Sequence, residues 1–235
     1  MYHLFAAESV PQPGVLLIQL TSTGVDFNGT QEDMDSLRTK YLRDNYIIFP
    51  RLYEPSLFEK IMQRVQAAPF EPHDHGDEIG HEFCMADQTT AALLDFPLNN
   101  PAFLRIIEHI TGHSNIGRFW GRVYRLTDSA EQSFNWHTDA NEGRVATMSI
   151  NLSPQIFEGG ALQLKRRGSD EILQEVYNTG LGDAVLFRIS DDLFHRVLGV
   201  KGKIPKTAFA GWFREGEDFL PNIEKILKSS RARAG

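Results

Sequence analysis

The chain has 235 residues, a formal net charge of −7 at pH 7 and a hydrophobic content of 41%. Its length suits one domain with a full core, or one domain with a helical extension, since all-β barrels reach this length without splitting. The acidic balance argues against a nucleic-acid-binding protein, since 165–167 is the one compact cationic cluster. The single cysteine, Cys84, excludes an internal disulfide, and the first residues lack the basic region of a signal peptide, so we expect a cytoplasmic setting. No apolar run is long enough to predict a membrane segment.

The first half of the chain predicts a strand followed by several helices. The apolar run 14–20 predicts a buried strand. Thr30 is placed to cap a helix whose apolar stripe consists of Leu37, Tyr41 and Leu42. A short strand over 46–49 should end at Pro50.

Two further helices are indicated by proline at the first turn. One begins at Pro55, and the other begins after Asn100 and ends at Gly112. The intervening residues 68–99 predict a long loop, and the part over 70–90 suits a lid above an active site. The histidines of this segment have spacings that could bind zinc, but they are more typical of loop residues: His73, His75 and His81.

From residue 118 the pattern changes to short strands separated by Gly, Asp and Pro, which predicts a β-sandwich or jelly roll. We therefore expect one domain over 1–235. Its parts are a helix-rich support over 1–117, a β core over 118–214, and a C-terminal helix and tail over 215–235.

A candidate metal centre consists of His137, Asp139 and His195. Residues two apart on a strand point to the same side, so His137 and Asp139 can converge, while His195 must arrive from another strand. Two imidazoles and one carboxylate can bind one face of a ferrous ion and leave three positions open. A lone His-x-Asp occurs often by chance, so the surrounding residues decide the interpretation.

Those residues follow in a characteristic order after the metal motif, and the chain there resembles the 2-oxoglutarate/Fe(II) oxygenases, most closely their prolyl 4-hydroxylase-like branch. The resemblance covers roughly residues 118–214 and depends on the ordered set more than on any single element. The segments that carry it are Arg144-Val145-Ala146-Thr147, Asn151-Leu152-Ser153, Phe157-Glu158-Gly159-Gly160-Ala161-Leu162, Gly182-Asp183-Ala184-Val185-Leu186-Phe187, His195-Arg196-Val197 and Trp212-Phe213.

The resemblance implies a mainly β chain with N-terminal helices, in which a double-stranded β-helix, or distorted jelly roll, holds Fe(II) through His137, Asp139 and His195. It also implies 2-oxoglutarate as co-substrate, with Lys206 as its carboxylate partner and Lys203 as the alternative. Tyr124 matches a tyrosine whose hydroxyl contacts 2-oxoglutarate, although a core tyrosine would give the same pattern.

Two positions near Lys206 bear on that carboxylate site. Many relatives carry a hydroxyl residue where this chain has Ala208, which removes one hydrogen bond to the carboxylate. Thr207 should face the other way, so it cannot replace that bond.

The resemblance further implies an enzyme that uses O2 to hydroxylate a substrate and releases succinate and CO2. Asp139 favours hydroxylation over halogenation, while desaturation or ring closure would use the same ligands. We expect a small molecule as substrate. Strand alternation from Tyr124 turns two guanidinium groups and an indole toward the cavity, which predicts an anionic, carboxylate-bearing substrate; ion pairs to acidic residues are the alternative. The candidate substrate residues are Arg118, Trp120, Arg122 and Trp136.

Two other functions stay open at this stage. A jelly-roll metalloprotein with hydrolase or isomerase activity would use the same three ligands and would not need Lys206. A ligand-binding module without turnover could hold an acidic ligand through Arg118 and Arg122. The sequence does not indicate an oligomeric state.

Overall fold

The computed structural model describes residues 18–74, 81–129, 132, 134–141, 143–177 and 179–216. The expected C-terminal helix, the first part of the expected strand over 14–20, and His75 lie outside the described residues. No helix among the described ranges is both long and apolar enough to span a membrane.

Two of the three predicted helices within the described ranges begin at the capping residues that the sequence indicated. Thr30 and Asp33 make a reciprocal capping box, and Asn100 caps the last helix, which ends at Gly112 with a φ of 78°. The apolar stripe of the first helix differs from the prediction, because Met34 and Tyr41 are buried whereas Leu42 is 48% exposed. The helices are α1 Gln31–Asp44, α2 Pro55–Ala67, α3 Gln88–Leu98 and α4 Pro101–Thr111.

Fourteen strands are present in the described ranges. They are β1 Ile18–Leu20, β2 Val25–Phe27, β3 Tyr46–Phe49, β4 Phe70–Asp74, β5 His81–Met85, β6 Ile116–Leu126, β7 Arg144–Asn151, β8 Glu158–Gly159, β9 Leu162–Arg166, β10 Ile172–Val176, β11 Ala184–Arg188, β12 Leu193–Val197, β13 Val200–Lys201 and β14 Lys206–Glu215.

The prediction of a long loop over 68–99 was wrong. Strands β4 and β5 form a hairpin at the end of the large sheet, and α3 follows with Asp87 as its N-cap. The polar sequence of β4 and its Pro72 suit an edge strand, which has one unpaired side. The described parts of the expected lid are therefore integral to the fold, and β5 contributes a side chain to the central cavity.

The jelly roll is built from a large and a small sheet. The large sheet has seven strands in the order β3-β11-β7-β14-β6-β5-β4, and the small sheet has the order β10-β9-β12. Leu164 of the small sheet packs in one cluster with Val185 and Phe187 of the large sheet. The two sheets thus face each other across an interior cavity, as the sequence pattern predicted.

The other face of the large sheet packs on the helices. Along β14, Phe209 and Phe213 belong to the main core cluster with Phe103 of α4, while Lys206, Ala208 and Trp212 line the cavity. This alternation has the period of two that a strand imposes. It fixes which polar side chains of β6, β7 and β14 can take part in chemistry.

Candidate active site

The three predicted metal ligands lie together at the cavity. His137 and His195 form an isolated antiparallel bridge, with His137 N donating to His195 O at 3.1 Å and His195 N donating to His137 O at 2.9 Å. His195 lies on β12, whereas His137 and Asp139 lie outside the named strands, between β6 and β7. The strand expected around His137 is therefore reduced to a single bridge.

The donor atoms are close enough to share one ion. One nitrogen from each histidine and one Asp139 oxygen all lie within 4.8 Å of one another. Asp139 Oδ2 lies 3.3 Å from His195 Nε2, and Asp139 Oδ1 lies 3.8 Å from His137 Nε2. Adjacent ligands of an octahedral ion are separated by about 3 Å when the bonds are about 2.1 Å long. The residues present thus fit a two-histidine, one-carboxylate metal site.

Hydrogen bonds orient these ligands from behind. His137 Nδ1 lies 2.7 Å from the carbonyl of Asn135, which holds the proton on Nδ1 and leaves Nε2 available as a ligand. Asp139 Oδ2 accepts hydrogen bonds from Trp212 Nε1 at 2.7 Å and from Thr147 Oγ1 at 3.3 Å. The carboxylate is therefore fixed before any ion binds.

The electrostatic surroundings keep Asp139 ionised. Burial raises the pKa of Asp139, but hydrogen bonds from His195 and Trp212 outweigh burial and lower that pKa below its usual range. An ionised carboxylate is the form that binds a cation. The charge and the geometry of Asp139 thus both favour a role as a metal ligand.

The cavity beside the three ligands has a volume of about 260 Å³. Its apolar walls include Phe134, Phe157, Leu162, Val176 and Phe187. This volume lies near the lower end of the roughly 300–1,000 Å³ typical of small-molecule sites. The cavity can therefore hold one or two small molecules.

Lys206 lies in this cavity with its ammonium group buried. Its Nζ donates to the carbonyl of Gly160 at 2.8 Å, and burial lowers the pKa of Lys206 to about 8. Gly160 has a φ of +65°, and a Cβ there would lie 3.2 Å from Lys206 Cδ, so glycine makes room for the lysine. Lys203, the alternative, is exposed in a bend and is not among the lining residues.

The neighbours of Lys206 follow strand alternation. Ala208 and Tyr124 line the cavity, whereas Thr207 turns away and accepts a hydrogen bond from Arg125 Nε at 3.2 Å. Tyr124 is buried against Phe134, with ring centroids 6.1 Å apart. Burial raises the pKa of Tyr124, so its hydroxyl stays protonated.

The candidate substrate residues are distributed differently from the prediction. Arg122 lines the cavity, but its guanidinium forms an ion pair with Glu82, whose side chain is 0% exposed. Arg122 thus follows the alternative given in the sequence analysis, an ion pair to an acidic residue. Trp120 is 49% exposed and stacks on Trp212 with ring centroids 5.8 Å apart, and it is not among the lining residues.

Two other candidates are also outside the lining of the cavity. Arg118 interacts electrostatically with Asp95 and does not line the cavity. Burial raises the pKa of the Asp95 carboxyl to about 7, and the positive charge of Arg118 opposes that rise. Trp136 packs against two cations, with Lys165 Nζ at 4.7 Å and Arg196 Cζ at 4.5 Å from the ring centroid. Strand alternation alone could not predict these local partners.

Among the lining residues that were absent from the predicted site, three lie close to the proposed ligands or to Arg122. Glu82 comes from the hairpin that was taken for a loop, and Arg144 and Trp212 appeared only as parts of the sequence pattern. Arg144 Nη1 lies 3.7 Å from Asp139 Oδ1, and its guanidinium lies 3.8 Å from the Trp212 ring centroid. The six-residue separation of Trp212 from Lys206 was the signal that could have assigned it to the cavity face.

Residues 121–214 match the family model described as the 2OG-Fe(II) oxygenase superfamily. Over this part, 94 of the 235 residues, the chain is similar to that superfamily. The chain is therefore an oxygenase, and the superfamily uses Fe(II), 2-oxoglutarate and O2. The matched residues include all three candidate metal ligands and Lys206. No curated protein matches the sequence significantly.

Solved structures share the fold of this oxygenase at low sequence identity. A Pseudomonas putida prolyl-4-hydroxylase is 16% identical with a TM-score of 0.57, and the match covers 77% of this chain and 98% of that one. A Trichoplax adhaerens prolyl hydroxylase, solved with a hypoxia inducible factor peptide, is 14% identical with a TM-score of 0.59 and coverage of 79% and 90%.

A third similar structure carries out a different reaction by name. The epimerase SnoN, solved with Fe3+, alpha ketoglutarate and nogalamycin RO, is 12% identical with a TM-score of 0.56, and the match covers 79% of this chain and 85% of that one. Identities this low support the jelly-roll fold and say nothing about which substrate this oxygenase uses.

Proposed function

We propose that the chain hydroxylates a small, carboxylate-bearing molecule in a reaction that consumes 2-oxoglutarate and O2 and releases succinate and CO2. In this proposal His137, Asp139 and His195 bind Fe(II). The observation that supports it most strongly is that their donor atoms lie within 4.8 Å of one another in a cavity that Lys206 also lines.

Lys206 is the proposed partner of the far carboxylate of 2-oxoglutarate. A buried ammonium group is costly unless an anion approaches it. The one hydrogen bond that Lys206 Nζ makes within the described residues goes to a neutral carbonyl, that of Gly160. A carboxylate would compensate the charge, and the Tyr124 hydroxyl lies in the same cavity to donate a further hydrogen bond.

His137, Asp139 and His195 would hold Fe(II), which when bound would supply the redox chemistry that links decarboxylation of 2-oxoglutarate to oxidation of the substrate. The chain contributes position and exclusion of water. The apolar residues around the ligands, among them Phe134, Phe157 and Phe187, limit access of water to the centre. The hydrogen bonds to His137 and Asp139 keep the donor atoms in place.

The room available supports the proposal of a small substrate. The cavity of about 260 Å³ must also hold 2-oxoglutarate in this proposal. The part of the substrate that enters is therefore small. Nothing in the described residues favours hydrolysis or simple ligand binding over oxidation.

The experiment is an assay of O2-dependent conversion of 2-oxoglutarate to succinate in the presence of a panel of small carboxylic acids. We expect one or more acids to stimulate succinate release and to gain one oxygen atom, detected by mass spectrometry. Asp139→Ala should abolish both. A product of unchanged mass would indicate epimerisation, and loss of two hydrogen atoms would indicate desaturation or ring closure; either product would overturn hydroxylation.

A further inference from the structure

Arg144 is the cavity cation for which the proposed function has no role. The charged side chains that line the cavity, apart from the histidines, are Glu82, Arg122, Asp139, Arg144 and Lys206. Glu82 and Arg122 neutralise each other. In the proposed function Asp139 binds iron and Lys206 binds the co-substrate. Arg144 therefore remains uncommitted.

The contacts of Arg144 hold its guanidinium group on an aromatic ring and leave it only a long ion pair with Asp139. The side chain is 24% exposed and lies flat on Trp212, with Cζ 3.8 Å from the ring centroid. Within the described part of the chain the guanidinium makes no hydrogen bond, and its nearest acid, Asp139, is 3.7 Å away. The five N–H donors of this cavity-lining side chain thus have no acceptor within hydrogen-bond distance among the described residues.

The sheet register surrounds Arg144 with like charges. Arg214 of β14 is the direct cross-strand partner of Arg144 on β7 and of Arg118 on β6, so three arginines lie side by side. Arg122 also lies over the Trp212 ring, with its Cζ 5.7 Å from the ring centroid. Like charges directly opposite on neighbouring strands destabilise a sheet. In a chain with a net charge of −7, this row brings three guanidinium-bearing residues together on neighbouring strands, and Arg144 is the one that reaches Asp139.

We propose that Arg144, supported on the Trp212 ring and assisted by the charge of Arg214, binds an oxyanion of the primary substrate and thereby selects substrates that carry one. A guanidinium fork matches two oxygens of a carboxylate or of a phosphate. This inference rests on the proposed function, because iron and 2-oxoglutarate are what commit Asp139 and Lys206 elsewhere. Arg144 is then a specificity-determining residue of the oxygenase.

The direct test follows the indole N–H signals of the three tryptophans by NMR. The chain is labelled with 15N-tryptophan and loaded with diamagnetic Zn(II) and saturating 2-oxoglutarate. Sodium acetate and inorganic phosphate are titrated separately at constant ionic strength held with sodium chloride. We expect saturable shifts of Trp212 and Trp120 and no comparable shift of Trp136. The anion that saturates at the lower concentration distinguishes a carboxylate from a phosphate group.

Trp136 provides an internal control because it also packs against cations, namely Lys165 and Arg196. Equal shifts of all three indoles would mean unspecific binding to exposed cations and would overturn the proposal. Absence of a saturable shift at Trp212 with either anion would overturn it as well.

The matched variants are Arg144→Gln and Arg196→Gln, since each removes a guanidinium that lies over a tryptophan ring. Arg144→Gln should raise the half-saturating anion concentration at least ~10-fold, as expected when one charge-assisted hydrogen-bond pair is lost. Arg196→Gln should leave it unchanged. Arg144→Lys keeps the charge without the fork and should give an intermediate value, which keeps the test usable where Arg144→Gln does not fold. Unchanged anion binding in both Arg144 variants would contradict the proposal.

Failure of this inference is distinguishable from failure of the proposed function. The same samples, prepared with Fe(II) in place of Zn(II) and without O2, are examined for the visible band that arises when 2-oxoglutarate chelates iron. A chain with that band but no Arg144-dependent anion binding would overturn only the inference. A chain that lacks the band would overturn the proposed function whatever the anions do.

Discussion

Trp212 Nε1 donates a hydrogen bond of 2.7 Å to Oδ2 of Asp139, although the two residues are 73 positions apart in the chain. The same indole carries Arg144 on its face and stacks on Trp120. Trp212 therefore connects the orientation of a proposed iron ligand with the cationic side of the cavity. Hydrogen bonds of this kind set both the position and the basicity of a metal-binding carboxylate.

Replacement of Trp212 by phenylalanine should weaken Fe(II) binding by roughly 10- to 100-fold, the usual cost of losing such a hydrogen bond. The ring packing is largely kept, whereas the donor to Asp139 is lost. Anaerobic titration with Fe(II) measures the change. Trp136→Phe is the matched control, since Trp136 does not line the cavity. Equal iron affinities of the two variants would show that the indole N–H has no role at the metal.

Lys206→Met should weaken 2-oxoglutarate binding strongly and leave Fe(II) affinity unchanged. Thermal unfolding separates this role from a structural one. Because Lys206 is buried with its pKa lowered to about 8, its charge destabilises the fold at neutral pH, so the methionine variant should melt at the same temperature or higher without co-substrate. A lower melting temperature together with unchanged 2-oxoglutarate affinity would contradict the assignment. Lys203→Met, at an exposed position, serves as control.

The pH dependence of 2-oxoglutarate affinity should follow the same lysine. Burial lowers the pKa of Lys206 from 10.5 to about 8, so the ammonium form is present below that pH and is lost as the pH rises through it. Co-substrate affinity should therefore fall between pH 7 and pH 9, in contrast to the flat profile of a lysine with an ordinary pKa. The titration is repeated with Lys206→Arg, whose charge persists, and a decrease of the same size in that variant would contradict the lysine as the cause.

Glu82→Gln should destabilise the fold by about 3 kcal/mol, because it leaves the Arg122 charge without its partner in a largely buried place. Urea unfolding measures the change. The double variant Glu82→Gln with Arg122→Met should recover much of the loss, since both charges are then absent. Asp44→Asn breaks the exposed Arg43–Asp44 pair and should cost well under about 1 kcal/mol. Equal losses at the two sites would contradict the importance of burial.

Cys84 should resist alkylation at pH 8. Burial first, and then the neighbouring Glu82 carboxylate, raise the pKa of the Cys84 thiol to about 12, so very little thiolate is present. Mass spectrometry after treatment of the native chain with iodoacetamide measures the reaction, and the urea-unfolded chain is the control. Rapid alkylation of the native chain would contradict the contact between Cys84 Sγ and Glu82 Oε1 at 3.2 Å.

The sequence predicted well those features that depend on local chemistry. The Thr30 cap and the Gly112 stop each act over a few residues. The order of motifs after Asp139 allowed His137, Asp139 and His195 to be grouped as candidate ligands, and the structure places them together. Helix α3 was missed because its weakly amphipathic sequence contains Pro97 in the last turn.

Long-range partners were beyond the reach of sequence patterns. Strand alternation assigned Arg122 to the cavity face, yet its partner Glu82 lies 40 residues earlier in a hairpin of polar sequence. The contact of Trp212 with Asp139 likewise depends on how β14 pairs with β7. Such pairs are determined by sheet register, which a local pattern does not encode.

The most direct test of the central claim is an anaerobic titration of the apo chain with Fe(II) and 2-oxoglutarate, followed by visible absorption. We predict a weak charge-transfer band that requires both additions, because the keto acid must chelate iron held by His137, Asp139 and His195. The band should be absent from His137→Ala and present in Arg196→Gln. Iron that binds without producing the band, or a band that persists in His137→Ala, would contradict the assignment of this site.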